Sequence, residues 1–220
     1  MFMTKAVLDL RALLLGGGRP PQDAYDAHRA LWTLFDDRAD RKRDFLYRAL
    51  DSAGFLVVSR REPVDRTGAW RLSVKPYEPR FRAGERVYFA LRANPVRKTR
   101  DASGRQVRHD VVQDERARLR AGGEDAGSLP PRAALAQEAG AAWLLARQDA
   151  LGLDIAPGTL LMEGYAVHEF RRKGRRVRFA ALDLKGFAAV RDPERLLAAL
   201  MNGVGPSKGF GCGLLTVMRG

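Results

Sequence analysis

The sequence predicts an α+β protein built from two tandem ferredoxin-like (βαββαβ) domains with a cleft between them. The predicted elements of residues 1–93 follow the order β-α-β-β-β, with an irregular stretch in place of the second helix. A related order, α-β-β-α-β, follows in residues 94–220, with the strand near residues 86–96 as a candidate element at the boundary between the two domains. In addition, 45% of the 220 residues are hydrophobic, so the chain can bury a core.

The first domain is predicted from hydrophobic periodicity and turn residues. Asp23 is placed to cap a helix over residues 24–35, where apolar side chains recur at spacings of three and four. Residues 51–54 form a turn sequence between two strand-like runs. Residues 62–79 contain three prolines and are predicted to be irregular. The predicted strands are residues 4–10, 45–50, 55–59 and 86–93.

The second domain begins with a basic segment, residues 97–108, that turns at residues 103–104. Residues 120–131 are predicted to be a loop and residues 132–151 a helix. Asp192 is placed to cap a further helix with Pro193 at its first position. The predicted strands are residues 160–170, 177–184 and 214–218.

The charge of the chain points to a polyanion as its partner. The formal net charge is +13 and the pI is about 10.6. Arg supplies most of the basic residues, and its planar fork fits phosphate and stacks on bases. We therefore expect RNA as the partner. The single cysteine, Cys212, excludes an internal disulfide and a four-cysteine zinc site. No signal segment or membrane-length apolar run is apparent, so we expect a cytoplasmic protein without a membrane partner.

A glycine-rich segment lies just before the last predicted strand. Five glycines, Gly209 among them, fall within residues 203–213, together with Ser207 and Lys208. Such a loop can bring backbone N–H groups and a lysine against a phosphate. It is neither a Walker A loop nor a dinucleotide fingerprint, because a helix precedes it and a strand follows. The alternative is a flexible turn, which the glycines taken alone favour.

Tyr25 and His28 are the candidate catalytic residues. They are three residues apart on the predicted helix, so both project from one face, beside Arg29. An imidazole with a near-neutral pKa can take a proton from a ribose 2′-OH or give one to a leaving oxygen. The alternative is a histidine packed at a helix–sheet boundary. His109 and His168 are weaker candidates, and no sequence motif suggests a metal site or a cofactor.

The strongest binding signal is the basic turn at residues 170–178. Its cations surround one turn glycine, and such close like charges repel unless an anion offsets them. A thin basic ribbon can approach the phosphate-lined major groove of A-form RNA. A solvated hairpin is the alternative. The candidate RNA-binding residues here are Arg171, Arg172, Lys173, Arg175, Arg176 and Arg178.

Five segments together resemble the CasE family of CRISPR repeat-processing endoribonucleases, which belong to the type I-E Cascade system. They are residues 23–35 (DAYDAHRALWTLF), 75–79 (KPYEP), 91–97 (LRANPVR), 104–108 (GRQVR) and the glycine-rich terminus. The resemblance implies two ferredoxin-like domains of the repeat-associated RNA-binding superfamily. It implies cleavage at the 3′ base of a repeat hairpin without a metal, with Tyr25 and His28 at the catalytic positions. It also implies retention of the product and assembly with the other Cascade subunits.

The chemistry expected of such an enzyme is attack by the substrate 2′-OH on the adjacent phosphate. This leaves a 2′,3′-cyclic phosphate and a 5′-OH. Arg29 or Lys208 would stabilise the charge that develops on the phosphorus oxygens. The alternative function is a non-catalytic RNA-binding scaffold within a ribonucleoprotein.

Overall fold

The computed structural model describes residues 1–37, 42–100, 103–123, 127–172 and 174–220, without the side chain of Arg172. It is a mixed α+β structure with antiparallel strands, as the sequence predicts. Among the described residues, no helix combines the length and the apolarity that a membrane crossing requires.

Eleven strands and six α-helices make up the described part of the chain. The strands are β1 (Phe2–Leu8), β2 (Phe45–Ala49), β3 (Gly54–Ser59), β4 (Trp70–Pro76), β5 (Arg86–Ala93), β6 (Val96–Arg100), β7 (Gln106–Asp110), β8 (Leu153–Ile155), β9 (Leu161–Arg172), β10 (Arg175–Val190) and β11 (Leu215–Arg219). The helices are α1 (Leu10–Leu15), α2 (Ala24–Trp32), α3 (Val111–Ala121), α4 (Arg132–Leu145), α5 (Gln148–Leu151) and α6 (Pro193–Asn202).

The first sheet has the strand order β2-β3-β1-β4, and every neighbouring pair is antiparallel. Helix α2 packs one face against this sheet through Ala27 and Leu31, which are buried together with Ala6 and Val57. This packing follows from the predicted spacing of the apolar residues, because that spacing places them on one side of the helix. The helix begins where the sequence predicts and ends three residues earlier, at Trp32.

The second sheet has the order β11-β5-β10-β8, and β9 pairs with β10. Strand β10 pairs with β9 from Arg175 to Lys185, but with β5 only from Leu182 to Ala189. The first part of β10 therefore extends with β9 beyond the pairing with β5. The second sheet has its own apolar core, which includes residues of α4 and α6. Strands β6 and β7 form an additional two-stranded hairpin.

One strand lies in a different sheet from the one that the sequence predicts. Residues 86–93 were expected as the last strand of the first domain, but β5 pairs with β10 and β11 in the second sheet. The place of that strand is taken by β4, which lies in the segment 62–79 predicted to be irregular. Its alternation of buried and exposed side chains is typical of a strand, although the prolines near it suggest a loop.

The helices of the second half also differ from the prediction. Helix α3 occupies a segment for which the sequence predicts no helix. Val112 is its one fully buried residue, so its sequence lacks the apolar periodicity that would indicate a helix. Asp110 caps it by accepting hydrogen bonds from the backbone N–H groups of Val112 and Gln113. The predicted helix over 132–151 is divided between α4 and α5.

A shared carboxylate links the two sheets. Asp183 on β10 is 9% exposed and accepts hydrogen bonds from Arg92 Nε at 3.0 Å and Arg92 Nη2 at 2.8 Å. Arg48 Nη2, from β2 of the first sheet, lies 3.1 Å from Asp183 Oδ1. The hydrogen bonds with Asp183 raise the pKa of the Arg92 guanidinium. The two bonds from the planar fork of Arg92 fix the orientation of the Asp183 carboxylate within the second sheet, and its contact with Arg48 links that sheet to the first.

We predict that Asp183→Ala lowers the free energy of unfolding by about 2–4 kcal/mol, because two partly buried guanidinium groups lose their partner. Urea denaturation measures the change. The matched control is Asp149→Ala, which removes an exposed ion pair with Arg191 at 2.6 Å. That variant should lose at most about 1 kcal/mol. Equal losses in the two variants would show that the link between the sheets has no special weight.

Candidate active site and nucleic-acid interface

The helix that carries the candidate catalytic residues is fixed at its first turn. Asp23 Oδ1 accepts hydrogen bonds from the backbone N–H of Tyr25 at 2.8 Å and of Asp26 at 2.9 Å. This satisfies two of the N–H groups that a helix start leaves without partners. Tyr25 and His28 are both half-buried, and Arg29 is exposed.

Tyr25 reaches across to the second sheet. Its ring stacks on Phe170 of β9, with the ring centroids 6.1 Å apart and the planes 10° from parallel. The guanidinium carbon of Arg29 lies 6.0 Å from the Tyr25 ring centroid. The helix of the first sheet and the long hairpin of the second sheet therefore meet at Tyr25.

His28 lies among aromatic rings of its own half of the protein. Its ring centroid is 5.6 Å from that of Trp32, 6.0 Å from Phe45 and 6.4 Å from Tyr47. These rings limit the orientations open to the imidazole. Tyr25 thus packs toward the second sheet and His28 toward the first, although both are on one helix.

Tyr47 joins the helix to the glycine-rich segment, and the sequence did not identify it. Its hydroxyl lies 3.2 Å from the carbonyl oxygen of Ala24 and 3.2 Å from that of Gly209, to which it donates. The residue is 1% exposed, and burial raises the pKa of its hydroxyl, so the group stays a proton donor. The only sequence signal is an aromatic residue in an apolar strand.

The glycine-rich segment has the unusual backbone that its composition suggests. Ser207 has φ of 58°, a left-handed conformation that non-glycine residues rarely adopt. Its side chain accepts a hydrogen bond from Asn94 Nδ2 at 2.7 Å, which helps to hold the turn. Gly211 has φ of 80°, whereas Gly209 leaves open space where a Cβ would lie. Gly209 is thus the position at which a backbone can be approached.

Two cations lie beside this segment. Lys208 is half-buried, and its pKa is lowered by burial and by the nearby charge of Arg43. Arg43 donates a hydrogen bond from Nη1 to the carbonyl oxygen of Phe45 at 2.7 Å, and burial lowers its pKa too. The Phe45 ring in turn packs on His28, so Arg43 is connected to the candidate catalytic histidine through one residue. Partly desolvated cations attract an anion strongly. The sequence had not singled out Arg43.

The candidate RNA-binding arginines lie on the exposed part of the β9–β10 hairpin. Arg171, Arg175, Arg176 and Arg178 have exposed side chains, and Arg176 pairs with Glu169 at 2.6 Å. Lys173 and the side chain of Arg172 lie outside the described residues.

The remaining candidates have ordinary structural surroundings. His168 stacks on Phe179 at 5.0 Å between centroids, and burial, followed by the charge of Arg92, lowers its pKa. His109 is exposed on β7. Cys212 is buried, and burial raises the pKa of its thiol to about 12. Within the described ranges, no group of three or more His, Cys, Asp or Glu residues is arranged to hold a metal ion.

The fold and this site define an α+β protein in which a helix with tyrosine and histidine meets a basic hairpin and a glycine-rich turn. The chain belongs to the family described as CRISPR associated protein, whose sequence pattern matches residues 1–219. This agrees with the resemblance that the sequence segments suggest.

Two curated relatives support this assignment. The CRISPR system Cascade subunit CasE of Escherichia coli K12 is 27% identical over 201 residues, covering 89% of this chain and 92% of that protein. The CRISPR-associated endoribonuclease Cse3 of Thermus thermophilus is 28% identical over 227 residues, covering 99% of both.

Solved structures agree in fold along the whole chain. CRISPR endoribonuclease Cse3 bound to a 19-nucleotide RNA has a TM-score of 0.71 and 27% identity, with 100% of both chains covered. Thermus thermophilus Cse3 bound to an RNA representing a pre-cleavage complex has a TM-score of 0.69 and 27% identity, covering 99% of this chain and 98% of that one. Cas6e of Escherichia coli K-12, at 21% identity, has a TM-score of 0.60 over 100% of both chains and shows a shared fold alone.

We predict that Gly211→Ala lowers the free energy of unfolding by about 1–2 kcal/mol, the cost of a side chain at positive φ. Its Cβ would also lie 3.3 Å from the Tyr47 ring. The matched control is Gly209→Ala, because no described atom lies within 4 Å of the added Cβ. Thermal melting should separate the variants by roughly 2–8 °C. Equal melting temperatures would mean that the backbone at Gly211 is not constrained as described.

Proposed function

We propose that this chain is a metal-independent endoribonuclease that cleaves CRISPR precursor RNA at the 3′ base of the repeat hairpin. The observation that carries the proposal is the bridge from Ala24 through the Tyr47 hydroxyl to Gly209. It holds the helix of Tyr25 and His28 against a glycine-rich segment and beside a basic hairpin. The 27–28% identity to proteins named CasE and Cse3 supports the same function.

The proposed reaction uses a nucleophile that the RNA itself supplies. The 2′-oxygen attacks the adjacent phosphorus, a new O2′–P bond forms and the P–O5′ bond breaks. The 2′-OH gives up a proton and the departing 5′-oxygen gains one, so no water is consumed. The products are a 2′,3′-cyclic phosphate and a 5′-OH. His28 and Tyr25 share the two proton transfers in this scheme, His28 as general base or acid.

The cations around the helix suit the charge that develops during this step. The pentacoordinate phosphorus carries more negative charge on its oxygens than the starting phosphodiester. Lys208, Arg43 and Arg29 surround the helix and the glycine-rich segment, and partial burial strengthens the field of the first two. We assign them to stabilising this charge, and we assign Ser207 and Gly209 to contacts with the RNA backbone.

The β9–β10 hairpin is proposed to hold the stem of the repeat. Its exposed arginines project from a narrow two-stranded ribbon, which can follow the deep major groove of A-form RNA. The residues proposed to bind the stem are the ones that the sequence suggests: Arg171, Arg172, Lys173, Arg175, Arg176 and Arg178.

The architecture is proposed to be two ferredoxin-like domains. The four strands of the first sheet follow the spatial order fourth, first, third, second, all antiparallel. Strands β11, β5, β10 and β9 follow the same order in the second sheet. Since β5 belongs to the second sheet, we place the boundary between Pro76 and Arg86 rather than at residue 93. The first domain then carries the catalytic helix and the second the hairpin and the glycine-rich segment.

Assembly into Cascade is proposed from the relatives. The Escherichia coli relative is named as a Cascade subunit, and the chain covers 92% of its length. A protein that keeps the cleaved hairpin bound would carry the RNA into that complex. The alternative from another class is a scaffold that binds the RNA without cutting it.

We predict that His28→Ala slows cleavage by about 10²–10⁴-fold while the affinity for the repeat hairpin is kept, because only the proton transfer is removed. Single-turnover cleavage of the host's repeat RNA in EDTA measures the rate. His109→Ala, an exposed histidine outside the site, is the matched control.

Three outcomes would each contradict a different part of the proposal: the role of His28, the independence from metal, or the enzymatic activity. A wild-type rate in His28→Ala removes that residue from the mechanism. A strict need for Mg²⁺ removes the metal-independent mechanism. A wild-type protein that binds the hairpin and never cleaves it supports the scaffold. In the proposed mechanism a 2′-deoxy substitution at the scissile nucleotide blocks cleavage, because it removes the nucleophile.

We predict that charge reversal of the hairpin arginines weakens RNA binding far more than it slows cleavage of bound RNA. Each lost phosphate contact should reduce the salt dependence of binding by roughly 0.7–0.9 units. Filter binding over a salt series measures both the affinity and its salt dependence. The reversed residues are Arg171, Arg172, Arg175 and Arg176.

The matched control reverses the same number of charges elsewhere. The control uses four exposed arginines of the first half that lie outside the proposed interface: Arg66, Arg71, Arg80 and Arg82. A control that loses as much affinity and salt dependence as the hairpin variant would mean that the total charge, and not the hairpin, binds the RNA.

A further inference from the structure

The β6–β7 hairpin carries an unfavourable pairing that the proposed function does not explain. Lys98 and Arg108 lie directly opposite each other across the two strands. Directly opposed like charges destabilise a strand pair. Within the described part of the chain, no carboxylate pairs with either residue. Arg97, by contrast, pairs with Asp114 of α3.

Two cavities lie on either side of this hairpin and share part of their walls. One, of about 620 Å³, lies between the hairpin, the β9–β10 hairpin and the glycine-rich segment. The other, of about 980 Å³, lies between the hairpin and helices α3 and α4. Val96, Arg108 and Pro206 line both, so the cavities adjoin. Together they run from the glycine-rich segment, beside the proposed catalytic helix, to the far side of β6 and β7.

The walls of these cavities combine apolar surface with cations and three carboxylates, Asp110, Asp114 and Glu115. Asp114 is paired with Arg97 and Glu115 with Arg118. Phe179 and Phe210 line the smaller cavity together with Arg178. Trp143 lines the larger one, with the guanidinium carbon of Arg147 at 4.1 Å from its ring centroid. A nucleobase has an apolar face and is linked to a phosphate, so both parts find a partner here. Cavities of roughly 300–1,000 Å³ are typical of sites for small organic groups.

We propose that these adjoining cavities bind the unpaired RNA next to the repeat hairpin. A duplex hides its base faces and would leave the apolar walls unused, whereas an unpaired strand exposes them. Lys98 and Arg108 contact the phosphates of this strand, and their mutual repulsion is offset when it binds. This proposal rests on the proposed function, since the stem occupies the β9–β10 hairpin and directs the flank into the cavities.

The test compares three RNAs and two proteins. The RNAs are the host's repeat hairpin alone and the hairpin with its unpaired flanks, added at the 5′ side or the 3′ side, all with a 2′-deoxy scissile nucleotide. The proteins are the wild type and the double variant Lys98→Gln/Arg108→Gln. One flank should raise the affinity of the wild type by roughly tenfold or more, from stacking and phosphate contacts. It should also add roughly 0.7 units of salt dependence per phosphate bound.

The double variant should lose this gain and keep the affinity for the bare hairpin. Its melting temperature without RNA should be unchanged or higher, because a repulsion is removed. The control Arg66→Gln/Arg71→Gln should keep the gain from the flank. A flank that adds the same affinity to both proteins, or to neither, would overturn the proposal.

A measurement on the wild type alone guards against a variant that fails to fold. 4-Thiouridine placed in the flank should crosslink to peptides within residues 96–118, 139–147, 177–180 or 206–210. Crosslinks found only elsewhere would overturn the proposal. If the wild type binds the bare hairpin, and cleaves an all-ribose hairpin that keeps only one nucleotide 3′ of the scissile bond, the proposed function stands whatever the flank does. If it does not bind the bare hairpin, the proposed function and this inference fail together.

Discussion

The carboxylate of Asp183 is the constraint on which the site depends. It is almost fully buried and is shared by Arg92 of the second sheet and Arg48 of the first. The contact with Arg48 crosses between the sheets and fixes the separation at which its guanidinium lies 3.1 Å from the Asp183 carboxylate. At that separation Tyr25 stacks on Phe170, and the Tyr47 hydroxyl reaches Gly209. The proposed active site is therefore assembled by contacts between the two halves and not within either one.

The distribution of acidic residues explains why so much positive charge stays available for a ligand. Many of the carboxylates are used inside the structure, where they accept hydrogen bonds from backbone N–H groups at helix starts and turns. Residues that do so include Asp23, Asp51, Asp65, Asp110 and Asp192. A carboxylate used in this way gives part of its hydrogen-bonding capacity to the backbone. On the β9–β10 hairpin Arg176 pairs with Glu169, whereas the described residues include no ion-pair partner for the exposed Arg171, Arg175 and Arg178, which remain available to a polyanion.

The surroundings of the two proposed catalytic residues are different in kind. His28 is enclosed by rings of Trp32, Phe45 and Tyr47, which restrict its rotation. Tyr25 contacts the second sheet, and Arg29 lies over its ring. A group that must move a proton benefits from such restriction, since less ordering is then required when the substrate binds. The glycine-rich segment complements the helix by offering an open backbone at Gly209 beside the cations Lys208 and Arg43.

Local patterns in the sequence determined the mixed α+β class, helix α2 with its Asp23 cap, helix α6, and the β2–β3 and β9–β10 hairpins. Each of these elements is specified by residues that are close together in the chain. Which sheet a strand joins depends on partners far away, so β5 was placed in the wrong sheet and β4, masked by nearby prolines, was missed. The same holds for the site. Tyr25, His28 and the basic hairpin stand out in the sequence by residue type and spacing. The bridging role of Tyr47, the position of Arg43 and the link at Asp183 arise only when residues more than a hundred positions apart are packed together. Tertiary structure decided these contacts, because pairing between residues far apart in the chain leaves no periodic signal in the local sequence.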